Sequence, residues 1–458
     1  MVPASLQIEP KAASHWTAWR TTRPRAVRGL AQFVLLTAFL SLAVAQAALG
    51  ASSFTPQTRM GYHNGDQWEP AISADGHGHV YILYPQYGAV LDCANCTAPT
   101  IALMISSDNG ATWQSSRVLL PFPTGQFDPQ IVVDPEDRQT VYASWLQSDK
   151  KTVLVARSLD FGRNWSFSVA ESAAEQADKP VLAVHGRDVY VGFNREENFY
   201  VASSHDAGQT FSTVLVNPNA SPGWSLAGGA TVDPAGNVYF GWTDYARDEM
   251  ATLPVRVYVS RSSDGGRGWN TVLLDVSGAA PGCEEENCQN GYLGAQIALA
   301  SDASGSLYAL WNAGSSSGGF ERMYFSSSTT SGMSWSERTA ASSAVAGVEH
   351  CFPAIAAGAP GDVRIAWMDA RAVEPLHPRN RLWNTFYRSS TNGGATWSAE
   401  SRLSGPARGF DYILPNGFRF PFGDYFGIAI DNTGTTHAVW GEGRDYRSPG
   451  SIWYARGR

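Results

Sequence analysis

The sequence predicts an all-β protein: a seven-bladed β-propeller of four-stranded antiparallel blades closed by an N-terminal strand, with a six-bladed ring as the alternative. Three observations predict it. An eight-residue frame, Ser106-Ser-Asp108-Asn-Gly110-Ala-Thr-Trp113, recurs five more times, and recurrence along a chain is the signature of a repeat architecture. Asp/Pro/Gly turns separate pairs of short apolar runs seven times, at Asp75-Gly76, Asp134-Pro135, His185-Gly186, Asp233-Pro234, Asp302 to Gly305, Gly358 to Gly361 and Asp431 to Gly434. No stretch after residue 50 has the period of a long amphipathic helix, while 45 Gly and 16 Trp suit tight turns and short packed strands. With 43% hydrophobic and 16% charged residues, the 458-residue chain is too apolar to be disordered and long enough for a large core.

Residues 1–28 carry Lys11, Arg20, Arg23, Arg25 and Arg28 against Glu9, and an apolar run follows from Leu30 to Ala45. A basic segment, an apolar run and the small residues of Ala45-Gln-Ala47 make the pattern of an export signal. Residues 1–47 are therefore expected to be a signal peptide and 48–458 a secreted or periplasmic propeller, with an uncleaved anchor as the alternative. Cleavage removes five basic residues and one acidic residue, which moves the net charge from −8 to −12. That acidity disfavours nucleic acid and anionic membranes as partners and leaves an extracellular glycan or a cell-envelope component, met by a monomer.

The repeating units fall at 68–121, 127–171, 178–217, 228–277, 294–341, 351–405 and 424–458. The fourth is the clearest: Gly229–Asp233, Asn237–Trp242, Val255–Ser260, a frame, then Thr271–Asp275, an antiparallel meander. The seventh has only three strands before the chain stops, so the segment around Phe54 to Tyr62, which belongs to no other unit, is expected to supply its outer strand and close the ring.

The other frames are Ser158-x-Asp160-x-Gly162-x-x-Trp165, Ser204-x-Asp206-x-Gly208-x-x-Phe211, Ser262-x-Asp264-x-Gly266-x-x-Trp269, Ser328-x-Thr330-x-Gly332-x-x-Trp335 and Ser390-x-Asn392-x-Gly394-x-x-Trp397. A short Asp or Asn side chain accepts backbone N–H groups in a turn, Gly takes a positive φ, and the aromatic is expected to bury beneath. A buried Trp is worth about 3–5 kcal/mol against Ala and a turn hydrogen bond about 1 kcal/mol, so the aromatic should outweigh the Asp. The six frames resemble the Asp-box, or bacterial neuraminidase repeat, of sialidases and of many propellers that are not sialidases. The resemblance covers essentially the whole mature chain and is strongest to exported bacterial sialidase-like proteins. It implies that the frame is a hairpin between the third and outer strands, on the face away from the site, without chemistry of its own.

Five cysteines suit an exported chain: Cys93-Ala-Asn-Cys96 and Cys283 with Cys288 are expected as small loop disulfides, and Cys351 is left over, free or pairing instead with Cys283 or Cys288. Four ligands in two well-spaced clusters are not seen, so no metal and no cofactor is expected.

The face opposite the frames collects polar residues just after the aromatic that ends strand two of each blade: Trp367-Met-Asp369-Ala-Arg371, Trp440-Gly-Glu442-Gly-Arg444, Trp242-Thr-Asp244-Tyr245-Ala-Arg247 and Phe193-Asn-Arg195. Asp66, Glu69, Asp128, Asp178 and Asp424 join them near the starts of inner strands. The resemblance implies sialidase chemistry, in which arginines grip a carboxylate in charge-assisted forks, a Tyr paired with a Glu attacks, and an Asp handles the proton. Arg195, Arg247, Arg371 and Arg444 are then candidates for the clamp, Tyr245 with Glu249 or Tyr425 beside Asp424 for the nucleophile, and Asp66 or Asp128 for the acid. The Phe/Tyr-Arg-Ile-Pro segment of sialidases is not found ahead of the first frame; Phe418-Arg419-Phe-Pro421 is similar but stands near the C-terminus. The alternative for Asp369 with Arg371 and Glu442 with Arg444 is an ion pair that ties loops together, and for the strand-two tryptophans an inter-blade core. The expected function is a glycan-acting or glycan-binding exported propeller, as an exo-sialidase-type glycoside hydrolase or as a non-catalytic interaction scaffold.

Overall fold

The computed structural model describes residues 53–88, 90, 93–217, 223–245, 253–279, 294–316, 318–374, 377–408, 423–443 and 450–458. The expected signal peptide, Cys283, Cys288, Arg247, Glu249, Arg419 and Arg444 lie outside the described residues.

Among the described residues, thirty strands form seven antiparallel sheets, and the sheets are seven blades. The blades span residues 66–118, 127–172, 177–215, 224–277, 297–340, 350–408 and 427–457, within a few residues of the units read from the sequence. The ring closes as expected: strand β1 (Thr58–Arg59) pairs with β30 (Gly450–Gly457) through Thr58 opposite Tyr454 and Arg59 opposite Trp453.

Seven apolar clusters form the core, one at each junction between neighbouring blades. The strand-two tryptophans Trp145, Trp242, Trp311, Trp367 and Trp440 are buried in them, the inter-blade role open in the sequence. Each such ring is worth about 3–5 kcal/mol against Ala.

The six frames are turns between the third and fourth strands of their blades. In the first, Gly110 N–H donates to Ser106 Oγ at 2.9 Å and Thr112 N–H to Asp108 Oδ1 at 2.8 Å, with φ of Gly110 at 73°. Where the Asp is replaced, the acceptor survives: Ser334 N–H donates to Thr330 Oγ1 and Thr396 N–H to Asn392 Oδ1, both at 2.9 Å. One expectation is corrected. The frame aromatics Trp113, Trp165, Phe211, Trp269, Trp335 and Trp397 are half-buried against an inter-blade cluster, so the stabilisation of a fully buried Trp overstates them. A Cβ on Gly110 would meet the Tyr454 hydroxyl of the seventh blade, and one on Gly394 the Phe325 ring of the fifth, so glycine also lets each turn seat on the preceding blade.

First strands of adjacent blades lie side by side around the axis. Four of them begin with one device: a residue in the left-handed region followed by proline, at Glu69-Pro70 (φ 53°), Asp128-Pro129 (53°), Lys179-Pro180 (49°) and Phe352-Pro353 (54°). Proline cannot donate to the ladder, and the pairing register slips there in strands β7 (Phe127–Val133), β11 (Ala177–His185) and β23 (His350–Ala357). Such a bulge re-aims a side chain; here it brings charged ones together.

Candidate functional site: an axial carboxylate–lysine centre

Three of those bulges carry charge, and three more charged residues join them. Glu69, Asp128 and Asp424 present carboxylate oxygens that all lie within 4.8 Å of one another. That spacing would hold a cation, and the cation present is the Lys179 ammonium, which contacts Asp424, lies 4.0 Å from Asp128 and sits 4.5 Å above the Tyr425 ring. Asp178 pairs with Lys150 at 2.7 Å, at the outer edge of the centre. Depth grades inward: the Asp178 side chain is 22% exposed, whereas Glu69 is 1% exposed. Trp68 and Tyr87 stack at 4.3 Å beside Glu69, and the Tyr425 hydroxyl donates to Pro129 O at 3.3 Å. A cavity of about 190 Å³ along the axis is lined by Lys179, Asp424, Tyr425, Thr243 and the prolines Pro70, Pro180 and Pro353.

The charges sort themselves. Asp128 neighbours Asp178 as well as Glu69 and Asp424, and like carboxyls crowded together in a buried place favour retaining protons. Burial, then the neighbouring Asp178, pushes the Asp128 carboxyl up to about 7. Burial and Asp424 push Glu69 well above the carboxylate range. Burial would raise Asp178 too, but Lys150 and Lys179 outweigh it and hold this acid below its ordinary value. Burial likewise works against the ammonium of Lys150, and Asp178 overrides it, raising that lysine. Asp178 is thus paired with Lys150 and Asp424 contacts Lys179, while Asp128 and Glu69 are the two carboxyls pushed toward keeping a proton.

The residues expected from sequence are distributed differently. Asp424 belongs to this centre, as do Glu69, Asp128 and Asp178. Asp369 accepts the Trp367 indole N–H at 2.9 Å, and its other oxygen takes Arg371 Nε at 2.8 Å. The Arg371 fork then closes on Glu400 at 2.7 Å and on Ser342, with its plane 3.8 Å from the Phe386 ring. Glu442 accepts the Trp440 indole at 2.8 Å and Gln57 at 3.4 Å; burial pushes it up to about 7. Arg195 lies 3.4 Å from Glu171 and stacks on Tyr200. Tyr245 donates to Ala295 O at 3.0 Å. Asp66 accepts Gly450 N–H at 2.7 Å and ties the first blade to the seventh. Arg371 and Arg195 therefore do not converge, and the loop-tying alternative describes Asp369 with Arg371. Asp244 differs: Trp242 donates to Ser260 instead, and the Asp244 carboxylate is buried without a hydrogen bond, 3.7 Å from Arg256.

Lys150 and Lys179 were not singled out from the sequence. The signal was present as the recurring residue-Pro step at the start of inner strands, which groups Lys179 with Glu69 and Asp128. Of the cysteines, Cys93 and Cys96 lie at disulfide distance and Cys351 is free and buried.

No family model and no curated protein matches the sequence. Among solved structures, the chain is similar to a protein of unknown function from Dyadobacter fermentans (12% identity, 89% of this chain and 99% of that one, TM-score 0.49). It is also similar to a Hadza microbial sialidase (14%, 86% and 66%, 0.45) and to a polysaccharide lyase described as an ulvan lyase (12%, 86% and 95%, 0.47).

Proposed function

We propose that the protein is an exported, glycan-acting propeller, a glycoside hydrolase whose acid–base centre is the axial cluster. The observation that carries this reading is the set of carboxylates of Glu69, Asp128 and Asp424 within 4.8 Å of one another, with Lys179 on one of them. Glycoside hydrolysis needs one carboxyl that keeps its proton and one that does not, and opposed environments supply both. Asp128 is the proton donor to the leaving oxygen. Asp424, in contact with the Lys179 ammonium, attacks the anomeric carbon, and water then releases the sugar while Asp128 takes back a proton. The close spacing matches the ~5 Å of retaining enzymes better than the ~6.5–9.5 Å of inverting ones. Export is supported by the N-terminal pattern and by Cys93 and Cys96 at disulfide distance.

A second reading, a non-catalytic envelope or secreted binding propeller, is favoured by the small cavity of about 190 Å³, below the roughly 300–1,000 Å³ of most ligand pockets. Mature protein, residues 48–458, incubated with fluorogenic sialoside, uronide and neutral glycoside substrates separates the two. The hydrolase reading expects release with retained configuration that falls by about 10²–10⁴ in Asp128→Asn and Asp424→Asn. Release that survives both substitutions would move the chemistry elsewhere; no release from any substrate would leave the binding scaffold.

A further inference from the structure

The connection between strands β8 (Val141–Gln147) and β9 (Thr152–Ser158) of the second blade is unusual. Ser148, Asp149 and Lys150 stand in succession at φ 55°, 57° and 67°, all in the left-handed region, and none is glycine. A non-glycine residue there costs on the order of 1 kcal/mol, so three in a row persist only because the surroundings hold them, and such strain concentrates at functional sites. The next blade does the holding: Ala177 N–H donates to Lys150 O at 2.8 Å and Gln176 to Asp149 O at 3.2 Å. The turn carries the Lys150 ammonium over the Phe127 ring, 5.6 Å from its centroid, and onto Asp178 Oδ1 at 2.7 Å. Asp178 in turn meets Asp128, the proton donor of the proposed reaction.

We propose that Lys150 is a positioning residue of the axial site: the left-handed turn Ser148–Lys150 delivers its ammonium to Asp178 and so divides two neighbouring carboxyls into a base, Asp178, and an acid, Asp128. Two like carboxyls in contact share one proton between them, and nothing in the pair itself decides which holds it. A cation on one side of the pair decides it. Lys179 contacts Asp424 and lies 4.0 Å from Asp128, so its charge favours ionisation of Asp128 as well as of Asp178, whereas Lys150 bonds Asp178 directly and so tips the pair. The other groups facing Asp128 are Asp424, Glu69, Tyr87 and Tyr425, none of which brings a positive charge. The role of Asp128 as acid rests on the hydrolase reading; the division of the pair does not.

The test is a carboxyl NMR titration of isotope-labelled aspartate in the full mature chain, with signals assigned through Asp128→Asn and Asp178→Asn. In the wild type, the aspartate that titrates highest, near neutrality, is Asp128, above Asp244, which burial pushes up to about 6. In Lys150→Met the neutral-range midpoint moves up by about one unit or more and the change spreads onto Asp178, while Lys150→Arg keeps the wild-type curve. A Lys150→Met midpoint that stays put in folded protein overturns the proposal. If that variant does not fold, Asp178→Asn serves: the Asp128 midpoint falls toward the ordinary carboxylate range, and an unmoved midpoint again overturns it. Where turnover is measurable, the alkaline limb of kcat/KM moves with the NMR midpoint. A limb that ignores a shifted midpoint leaves the Lys150 role standing and removes Asp128 as the acid.

Discussion

Two sets of buried acids find their partners in different ways. Asp369 and Glu442 sit on second strands, two residues after Trp367 and Trp440, so the pleat puts each on the face of its own tryptophan and the indole N–H finds it locally. Glu69 and Asp128 begin first strands in left-handed bulges, which turn them off the ladder toward the axis, where partners come from other blades. Burial pushes both Glu442 and Asp128 up to about 7. A displaced titration therefore does not separate a packing acid from a site acid. What separates them is whether the partner is supplied by the same strand.

The largest test of that difference is Lys179→Met. It removes the ammonium that Asp424 depends on, deep in the axis, and should cost about 3–5 kcal/mol at pH 8, read from denaturant unfolding. The loss should shrink at pH 5, because Asp128 beside the lysine is then protonated and one fewer buried negative charge is left without its cation. An equal loss at both pH values would mean that the lysine stem, not its charge, matters there.

Asp128→Asn comes next and has the opposite sign. Because the folded state holds a proton on Asp128 between its ordinary value and about 7 while the unfolded chain has lost it, Asp128 makes the fold less stable as pH rises through that window. Asparagine carries no such penalty, so the variant should be more stable than wild type at pH 8, on the order of 1 kcal/mol, with little difference at pH 4, while turnover is lost. Thermal unfolding across pH 4 to 8 reads it, and a variant less stable at pH 8 would place Asp128 among the packing acids.

The blades were legible because their signals are local. Repeated Ser-x-Asp-x-Gly frames, paired apolar runs and an incomplete last unit dictate seven sheets and an N-terminal closing strand, and β1 against β30 is that strand. The depth of the frame tryptophans was not legible, since it depends on how far each turn overhangs the preceding blade. The site was half legible. Asp424, Asp128, Glu69 and Asp178 were within reach because they precede inner strands, yet the eye falls first on Asp369, Arg371 and Glu442, whose sequence context is just as polar. Nothing in Trp-x-Asp says that the indole will use the acid. Lys150 was out of reach for a different reason: three consecutive left-handed residues in Ser148-Asp149-Lys150 contain no glycine to announce them.

Glu442→Gln should give the smallest effect and is the control for the whole comparison. Glutamine keeps an acceptor oxygen for the Trp440 indole and can meet Gln57, so stability at pH 5 should change by less than about 1 kcal/mol. Glu442 is protonated in the fold up to about 7, so like Asp128 it lowers stability as pH rises, and the amide should remove that decline. In thermal unfolding the two variants, Glu442→Gln and Asp128→Asn, should thus look alike: each flattens the curve between pH 5 and 8. They part at turnover, which Glu442→Gln should leave within about twofold, since the acid it replaces serves its own tryptophan. If Glu442→Gln also abolishes turnover, the strand-two acids belong to the chemistry after all, and local pairing is no guide to which carboxyls of this mouth react.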